Sequence, residues 1–252
     1  LHNGAISICS ASFLRKRLLP LVFVSLYIAL DAASFIHPLH GLNITPWNPA
    51  PALGLVYVLR QGPLARGAFV VAVVASEFLV RDVSPEWWRS LLSALMLAGG
   101  YLALAEVLRR RMEPGSLLDG RSALLGWMVP VVLGTLLNSV VFITGLCALG
   151  LLPAEGWRGG VLQFWVGDMV GIALAMPLFW WLAGERGRLM LKAALLRWET
   201  LGYALLCVVA LLVAFGLGGG SGFKLFYWLF VPIAWAAARQ GMAGAIVCAA
   251  FV

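Results

Sequence analysis

A carboxylate inside an apolar run is the residue of this chain best placed to do chemistry. Asp168 lies in the almost uninterrupted apolar stretch Val161–Leu182, which is long enough to cross a bilayer as a helix. An acidic side chain at the centre of a membrane costs roughly 2.5–3.5 kcal/mol on insertion scales. A residue that carries this cost needs a partner or a task, so Asp168 predicts a polar site inside a membrane protein.

Further polar residues fall at similar depths once membrane-spanning segments are assigned to the apolar runs. Most of them lie in the outer half of their segments, which predicts a polar pocket at or just below the outer face of the membrane. The candidate residues of this ligand or signal pocket are Asp31, Trp47, Asn48, Glu77, Asn138, Trp165 and Asp168. The alternative role for Asp168 is structural, because hydrogen bonds commonly hold membrane helices together.

Two histidines, His37 and His40, follow Asp31 at the same outer edge. Neutral imidazole is a common metal ligand, so the pair is a candidate for a metal or haem site. Interfacial hydrogen bonding is the alternative, and the sequence requires no cofactor. The motifs of zinc proteases, serine hydrolases and protein kinases do not occur in the sequence, so no residue of this chain is assigned a catalytic role.

The composition places the chain among α-helical membrane proteins. Hydrophobic residues make up 62% and charged residues 12% of its 252 residues, whereas a soluble domain carries about twice that charge. We predict an all-α, polytopic transmembrane helix bundle of about eight or more spans. The predicted spans are 18–36, 49–60, 63–80, 90–108, 123–146, 160–183, 200–216 and 225–238, with an incomplete one from 242. We expect a cytoplasmic segment, 1–17, followed by one integral membrane domain, 18–252, that is truncated in its last helix as a piece of a longer protein.

The basic residues predict the orientation of these spans. With the N-terminus in the cytoplasm, fourteen of the eighteen Lys and Arg residues fall on the inner side, as the positive-inside rule requires. The net charge of +7 is therefore a topology signal, since it lies in clusters at the ends of apolar runs, and nucleic acid is excluded as a partner. We expect a multi-pass protein of the bacterial inner membrane.

The second span is predicted to be short or broken. Asn48-Pro49-Ala50-Pro51 opens it and Gly62-Pro63 closes it, which leaves a helix of about 13 residues, or ~20 Å. Asn48 is predicted to cap this helix from the outer side. The partial positive charge at its N-terminus could hold Asp168 or dock an anionic ligand, as broken helices do in membrane transporters.

Three motifs in the chain resemble a known family. Trp47–Gly54 resembles the "W-P-P-x-G" motif, Phe164–Gly171 with the following Pro177 resembles "W-x-G-D-x-x-G", and Pro232–Gly241 resembles "P-x-x-x-W-A-A-x-R-x-G". These motifs, in this order, are those of the first type of MASE domain, a membrane-associated bacterial sensory domain. They span about three quarters of the chain. Two positions differ, since Asn48 stands where Pro is usual and Gln240 where an aromatic residue is usual.

The resemblance implies a sensory input module and not an enzyme. In that family the module precedes a histidine kinase or a diguanylate cyclase, and we expect this output to be missing from the chain. Asp168 and Arg239 are the motif matches carried over, Arg239 at the inner end of its span. The implied partners are the lipid bilayer, a second copy of the full-length protein in a homodimer, and a transporter-like membrane protein.

Two alternatives to a sensor remain at this point. One is a small-molecule transporter or permease with a polar site at the broken helix, against which stands the absence of an internal inverted repeat. The other is a membrane enzyme that uses His37 with Cys147, for which no activating group is visible in the sequence.

Overall fold

The computed structural model describes residues 3–35, 47–81, 83, 85–112, 121–212 and 230–251. It is all-helical, with 89% helix and no strand in the described part of the chain. The α-helices of that part are α1 (Asn3–Ser34), α2 (Ala50–Gln61), α3 (Ala65–Val80), α4 (Trp87–Arg111), α5 (Arg121–Ala148), α6 (Trp157–Ala183), α7 (Glu185–Leu195), α8 (Trp198–Leu211) and α9 (Phe230–Phe251).

Three or four of these helices are long and apolar enough to cross a membrane. They are α4, most of α5, and α6 with the turn before it, and a fourth arises if the bent pair α7–α8 counts as one span. The predicted all-α class is confirmed, and these helices have the length and composition of membrane spans. The predicted count was higher because α2 and α3, of 12 and 16 residues, are shorter than a full crossing.

The chain folds as two compact units, Leu1–Ala173 and Leu174–Val252. In the first unit α3 packs against α1 and α4, and α4 packs against α5. The short α2 contacts α1, α3 and α4, so it is enclosed by its neighbours. In the second unit α9 packs against both α7 and α8.

The start of α2 differs from the prediction that Asn48 caps it. Pro49 is the N-cap residue, and no side chain caps the helix. Asn48 comes one residue earlier, and its side chain bonds to another helix. Small residues allow the enclosure of α2: a Cβ atom at Gly54 would lie 2.7 Å from Cδ2 of Phe69 in α3, so only glycine admits that ring.

Aromatic side chains connect α1, α3 and α4 in the core of the first unit. The ring of Phe69 meets Tyr27 edge-on at 5.9 Å and Tyr101 at 6.3 Å between ring centroids. All three side chains are buried. Edge-to-face packing fixes ring orientation, so this row holds Tyr101 in place on the inner face of α4.

The predicted boundary between the spans 225–238 and from 242 falls at a kink within α9, where two helical segments meet. The kink lies at Gly241, whose backbone (φ 60°, ψ −145°) is not helical. The prediction of a break at this point was therefore correct in position, but a single residue makes it and no loop intervenes. Only glycine adopts this conformation without strain.

Replacing Gly241 by Ala is expected to destabilise the protein by about 1–3 kcal/mol, because a Cβ atom is disfavoured at this φ and ψ. The free energy of unfolding in detergent measures the effect. Gly67→Ala in α3 is the matched control: its position is exposed and helical, and an added Cβ meets no atom within 4 Å. Equal stability of the two variants would contradict the role given to Gly241.

Candidate functional site

Asp168 of α6 lies in the interior of the first unit, with 1% of its surface exposed. Its Oδ1 accepts a hydrogen bond from Nδ2 of Asn48 at 3.1 Å, and its Oδ2 accepts one from the Tyr101 hydroxyl at 2.5 Å. Asn48 leads into α2 and Tyr101 belongs to α4. One carboxylate therefore joins three parts of the chain, and we call Asn48, Tyr101 and Asp168 the Asp168 cluster.

Backbone contacts reinforce the Asp168 cluster. The backbone N–H of Asn48 donates to the carbonyl oxygen of Gly167 at 3.3 Å. A Cβ atom at Gly171 would collide with the carbonyl group of Asn48 and lie 3.0 Å from its backbone nitrogen. The adjacent residues Gly167 and Asp168 thus offer a carbonyl oxygen and a carboxylate to Asn48, and Gly171, one turn later, leaves the space that the backbone of Asn48 occupies.

A second buried cluster surrounds Asp31 of α1. Nη2 of Arg81 donates to both oxygens of Asp31, at 2.9 and 2.7 Å, and the Ser76 hydroxyl donates to Oδ2 at 2.6 Å. Nη1 of Arg81 lies 3.4 Å from Oε2 of Glu77. The Ser93 hydroxyl of α4 donates to Oε1 of Glu77 at 3.5 Å. These five residues, the Asp31 cluster, tie α1, α3 and α4 together with two acids and one base.

Arg81 is the charged site residue that the sequence analysis missed, and Tyr101, Ser76 and Ser93 were not predicted either. Arg81 follows α3 directly and was counted as a cation of an outer loop, yet only 8% of its surface is exposed. The ring of Phe35 lies 5.6 Å from its guanidinium carbon. Its spacing of four from Glu77 was the available signal, because acids and bases so spaced share one helix face.

The two clusters are neighbours around the aromatic row. Tyr27 lies one turn before Asp31 on α1, and both side chains are buried. The ring of Tyr27 packs on Phe69, which packs on Tyr101 of the Asp168 cluster. A displacement of α1 against α4 would therefore affect both clusters.

The remaining predicted pocket residues of the first unit lie elsewhere. Asn138 of α5 packs against Gly100 of α4 and lines a cavity of about 440 Å³ between these helices. Its Nδ2 has no hydrogen-bond partner among the described residues. The indole N–H of Trp165 donates to the carbonyl oxygen of Val132 at 3.1 Å. Trp47 is 45% exposed.

Arg239 lies in the second unit, where it joins α9 to α8. Its Nη2 donates to Oε1 of Glu199 at 3.0 Å, and Nε2 of the adjacent Gln240 donates to Oε2 at 3.2 Å. The ring of Trp235 meets Tyr203 edge-on at 5.1 Å. The third motif therefore supplies the polar and aromatic contacts that pair the last two helices.

The candidates for metal or haem binding, His37 and His40, lie outside the described residues. Among the residues that the structure describes, no group of three or more His, Cys, Asp and Glu side chains could hold a metal ion. The sulfur atoms of Cys207 and Cys248 lie 3.4 Å apart in the interior of the second unit. The two thiols pack as small apolar side chains between α8 and α9.

The chain matches no family model, no curated protein and no solved structure.

Both carboxylates of the site accept hydrogen bonds from the protein itself. These hydrogen bonds between helices hold the helices in one position, and breaking one of them allows the helices to move. The bond from Asn48 is the weaker of the two to Asp168 by length, and it is the one that fixes the chain leading into α2.

Asp168→Ala is expected to destabilise the protein strongly, because it leaves the amide of Asn48 and the hydroxyl of Tyr101 buried without an acceptor. Each such group costs about 1–3 kcal/mol. The control is Glu106→Ala. Glu106 accepts hydrogen bonds from Arg66, Arg109 and Arg110 at the surface, where water replaces them. Thermal unfolding in detergent compares the two, and equal, negligible effects would contradict a structural role for the Asp168 cluster.

Arg81→Met is expected to cost about 3–5 kcal/mol, because it leaves the carboxylate of Asp31 buried without its cation. Combining it with Asp31→Asn removes that uncompensated charge and should restore part of the stability. Arg158→Met, at an exposed position of α6, controls for the loss of an arginine. Chemical denaturation of the wild type, Arg81→Met, Asp31→Asn and the double variant measures the coupling, with Arg158→Met as the fifth protein, and additive effects would rule out the buried pair.

Proposed function

We propose that this chain is a membrane-embedded sensory input domain that passes a signal to a cytoplasmic output elsewhere in the full-length protein. The signal is a periplasmic or membrane-borne compound or a partner protein, and the output is a histidine kinase or a diguanylate cyclase. The observation that carries the proposal is the Asp168 cluster, which positions the start of a short, enclosed helix through a few breakable bonds.

The contacts between two motifs support the resemblance to the first type of MASE domain. Asn48 belongs to the first motif, and Gly167, Asp168 and Gly171 belong to the second. All three residues of the second motif contact Asn48. Motifs that lie 120 residues apart in sequence thus make one joint, which gives their residue types a common physical reason.

The energies of the joint suit a two-state switch. Moving an equilibrium from 1:99 to 99:1 requires a differential binding free energy of about 5.5 kcal/mol. Two or three buried hydrogen bonds, each worth about 1–3 kcal/mol when one partner is lost, lie on this scale. A signal that stabilises α2 in a position without the bond from Asn48 to Asp168 would therefore shift the equilibrium. It must bind the two states with different affinity.

In this proposal the protein is a multi-pass protein of the bacterial inner membrane with a cytoplasmic N-terminus. Its bundle has eight or more spans, so the apolar part of α1 (Leu18–Ser34), α2 and α3 lie in the membrane beside the longer helices. The full-length protein acts as a homodimer, and a transporter-like membrane protein is a candidate partner. The distribution of the basic residues supports the orientation.

A transporter is the second candidate, and the Asp31 cluster is the observation that favours it. Two acids and a base buried among membrane helices are typical of ion and substrate pathways. In a transporter these groups would exchange partners during each cycle.

The test compares variants of the full-length protein. Removal of the joint by Asn48→Ala or Asp168→Ala is expected to change the basal kinase or cyclase activity, measured in membrane vesicles, on the order of tenfold. Glu106→Ala should leave the activity within about twofold, since its ion pairs lie at the surface.

An unchanged activity in both joint variants, while both remain folded, would contradict the sensory proposal. A transporter would show itself separately as proton flux into proteoliposomes, reported by a pH-sensitive dye in the lumen. Loss of that flux in Arg81→Met, with no change in output activity, would favour the second candidate.

A further inference from the structure

The axes of α7 and α8 make an angle of 77° with each other. The stretch 185–197, which contains α7 and the joint to α8, carries four basic residues and one acid. Charged side chains are expelled from the hydrocarbon region, whereas α8 has the composition of a membrane segment. A helix at nearly right angles to a crossing segment lies close to the plane of the membrane.

The surface of α7 is divided into three sides. At about 100° per residue, Gly187 and Ala194 share one side, which is buried. Their small size allows close packing, since a Cβ atom at Gly187 would lie 2.9 Å from the backbone carbonyl carbon of Trp181. This side fixes the rotation of α7 about its axis.

The other two sides differ in polarity. The exposed apolar side carries Leu189, Met190 and Ala193 with Arg186 among them. The exposed polar side carries Glu185, Arg188 and Lys192, with Leu195 at its edge. Leu189 is 69% exposed, and beyond the helix Leu196 and Trp198 are 84% and 86% exposed. Amphipathic helices with these features lie in membrane interfaces, and Trp is enriched at that depth.

The basic residues of α7 are mostly not used inside the protein. Arg188 donates to the carbonyl oxygen of Leu182 at 3.2 Å and so satisfies the end of α6. Arg186 and Lys192 are exposed and have no partner among the described residues. Arg186 lies in the first turn between Ala193 and Met190 on the apolar side, and its long stem allows the guanidinium to reach the headgroups from there.

We propose that α7 is a docking surface for anionic phospholipid. The helix lies in the membrane plane with Leu189 and Met190 among the acyl chains, and Arg186, Lys192 and Arg197 bind the phosphates of anionic headgroups. Because α7 packs against α9, lipid bound to α7 also restrains the position of α9. The proposal does not depend on the proposed sensory function.

Spin labels test the placement of α7. Single cysteines at Leu189 and Lys192, in a chain whose native cysteines are replaced by alanine, are labelled and reconstituted in phosphatidylcholine with phosphatidylglycerol. The label at 189 is expected to be more accessible to oxygen, and the label at 192 to a water-soluble nickel complex. Oxygen access at both positions would overturn the proposal in favour of a broken span, and nickel access at both would place α7 in water.

Lipid preference tests the headgroup contact independently, with the native cysteines present. The preference of the chain for spin-labelled phosphatidylglycerol is measured as the ratio of its affinities for that lipid and for phosphatidylcholine. This ratio is expected to fall at least about tenfold in the triple variant Arg186→Gln, Lys192→Gln, Arg197→Gln. Arg158→Gln, which removes an exposed arginine outside α7, should retain the preference. An unchanged preference in the triple variant would overturn the proposal.

Discussion

A charge buried between helices has no water to solvate it, and the arrangement of the first unit depends on this constraint. Asp31 and Asp168 are nearly inaccessible, and each has its oxygens bonded by side chains of other elements. Asp31 lies on α1 and Asp168 on α6, and their partners come from α3 and its C-terminal end, α4 and the segment before α2. Satisfying two carboxylates therefore positions most of the unit. Apolar packing between membrane helices is not specific, because lipid chains are as apolar as leucine. The polar contacts therefore determine which helices meet and in what register.

The enclosure of α2 shows how small residues and polar contacts act together. Gly54 and Gly171 bring the backbone close to Phe69 and Asn48, and the hydrogen bonds of Asn48 then fall within range. A larger residue at position 171 would displace the chain before α2 and break the bond to Asp168 with it. The contacts of Asn48 with α6 therefore stabilise the fold and would also have to change in any switch between two states.

The sequence predicted the helices well because apolar runs and breaking residues have short-range causes. The predicted segments 90–108 and 160–183 fall within or close to α4 and α6, and the short second helix was recognised from its prolines and glycine. Asp168 was identified as a residue that needs a partner, but the partner Tyr101 lies 67 residues away and no local pattern indicates it. Arg81 was missed since charge at the end of a span is normally exposed. Pairing across helices depends on tertiary packing, which one sequence does not contain.

With α2 and α3 placed in the membrane, as proposed above, the length of α2 determines how the protein can be inserted. Twelve residues of helix span ~18 Å, well short of the ~30 Å of hydrocarbon, and the 16 residues of α3 reach only ~24 Å. Neither helix is a good insertion signal by itself. The turn between them, in which the N–H of Ala65 donates to the carbonyl oxygen of Gly62, folds them into a helical hairpin. The translocation machinery would therefore have to accept α2 and α3 as one unit, and α2 would reach its place only after α4 had arrived to cover it.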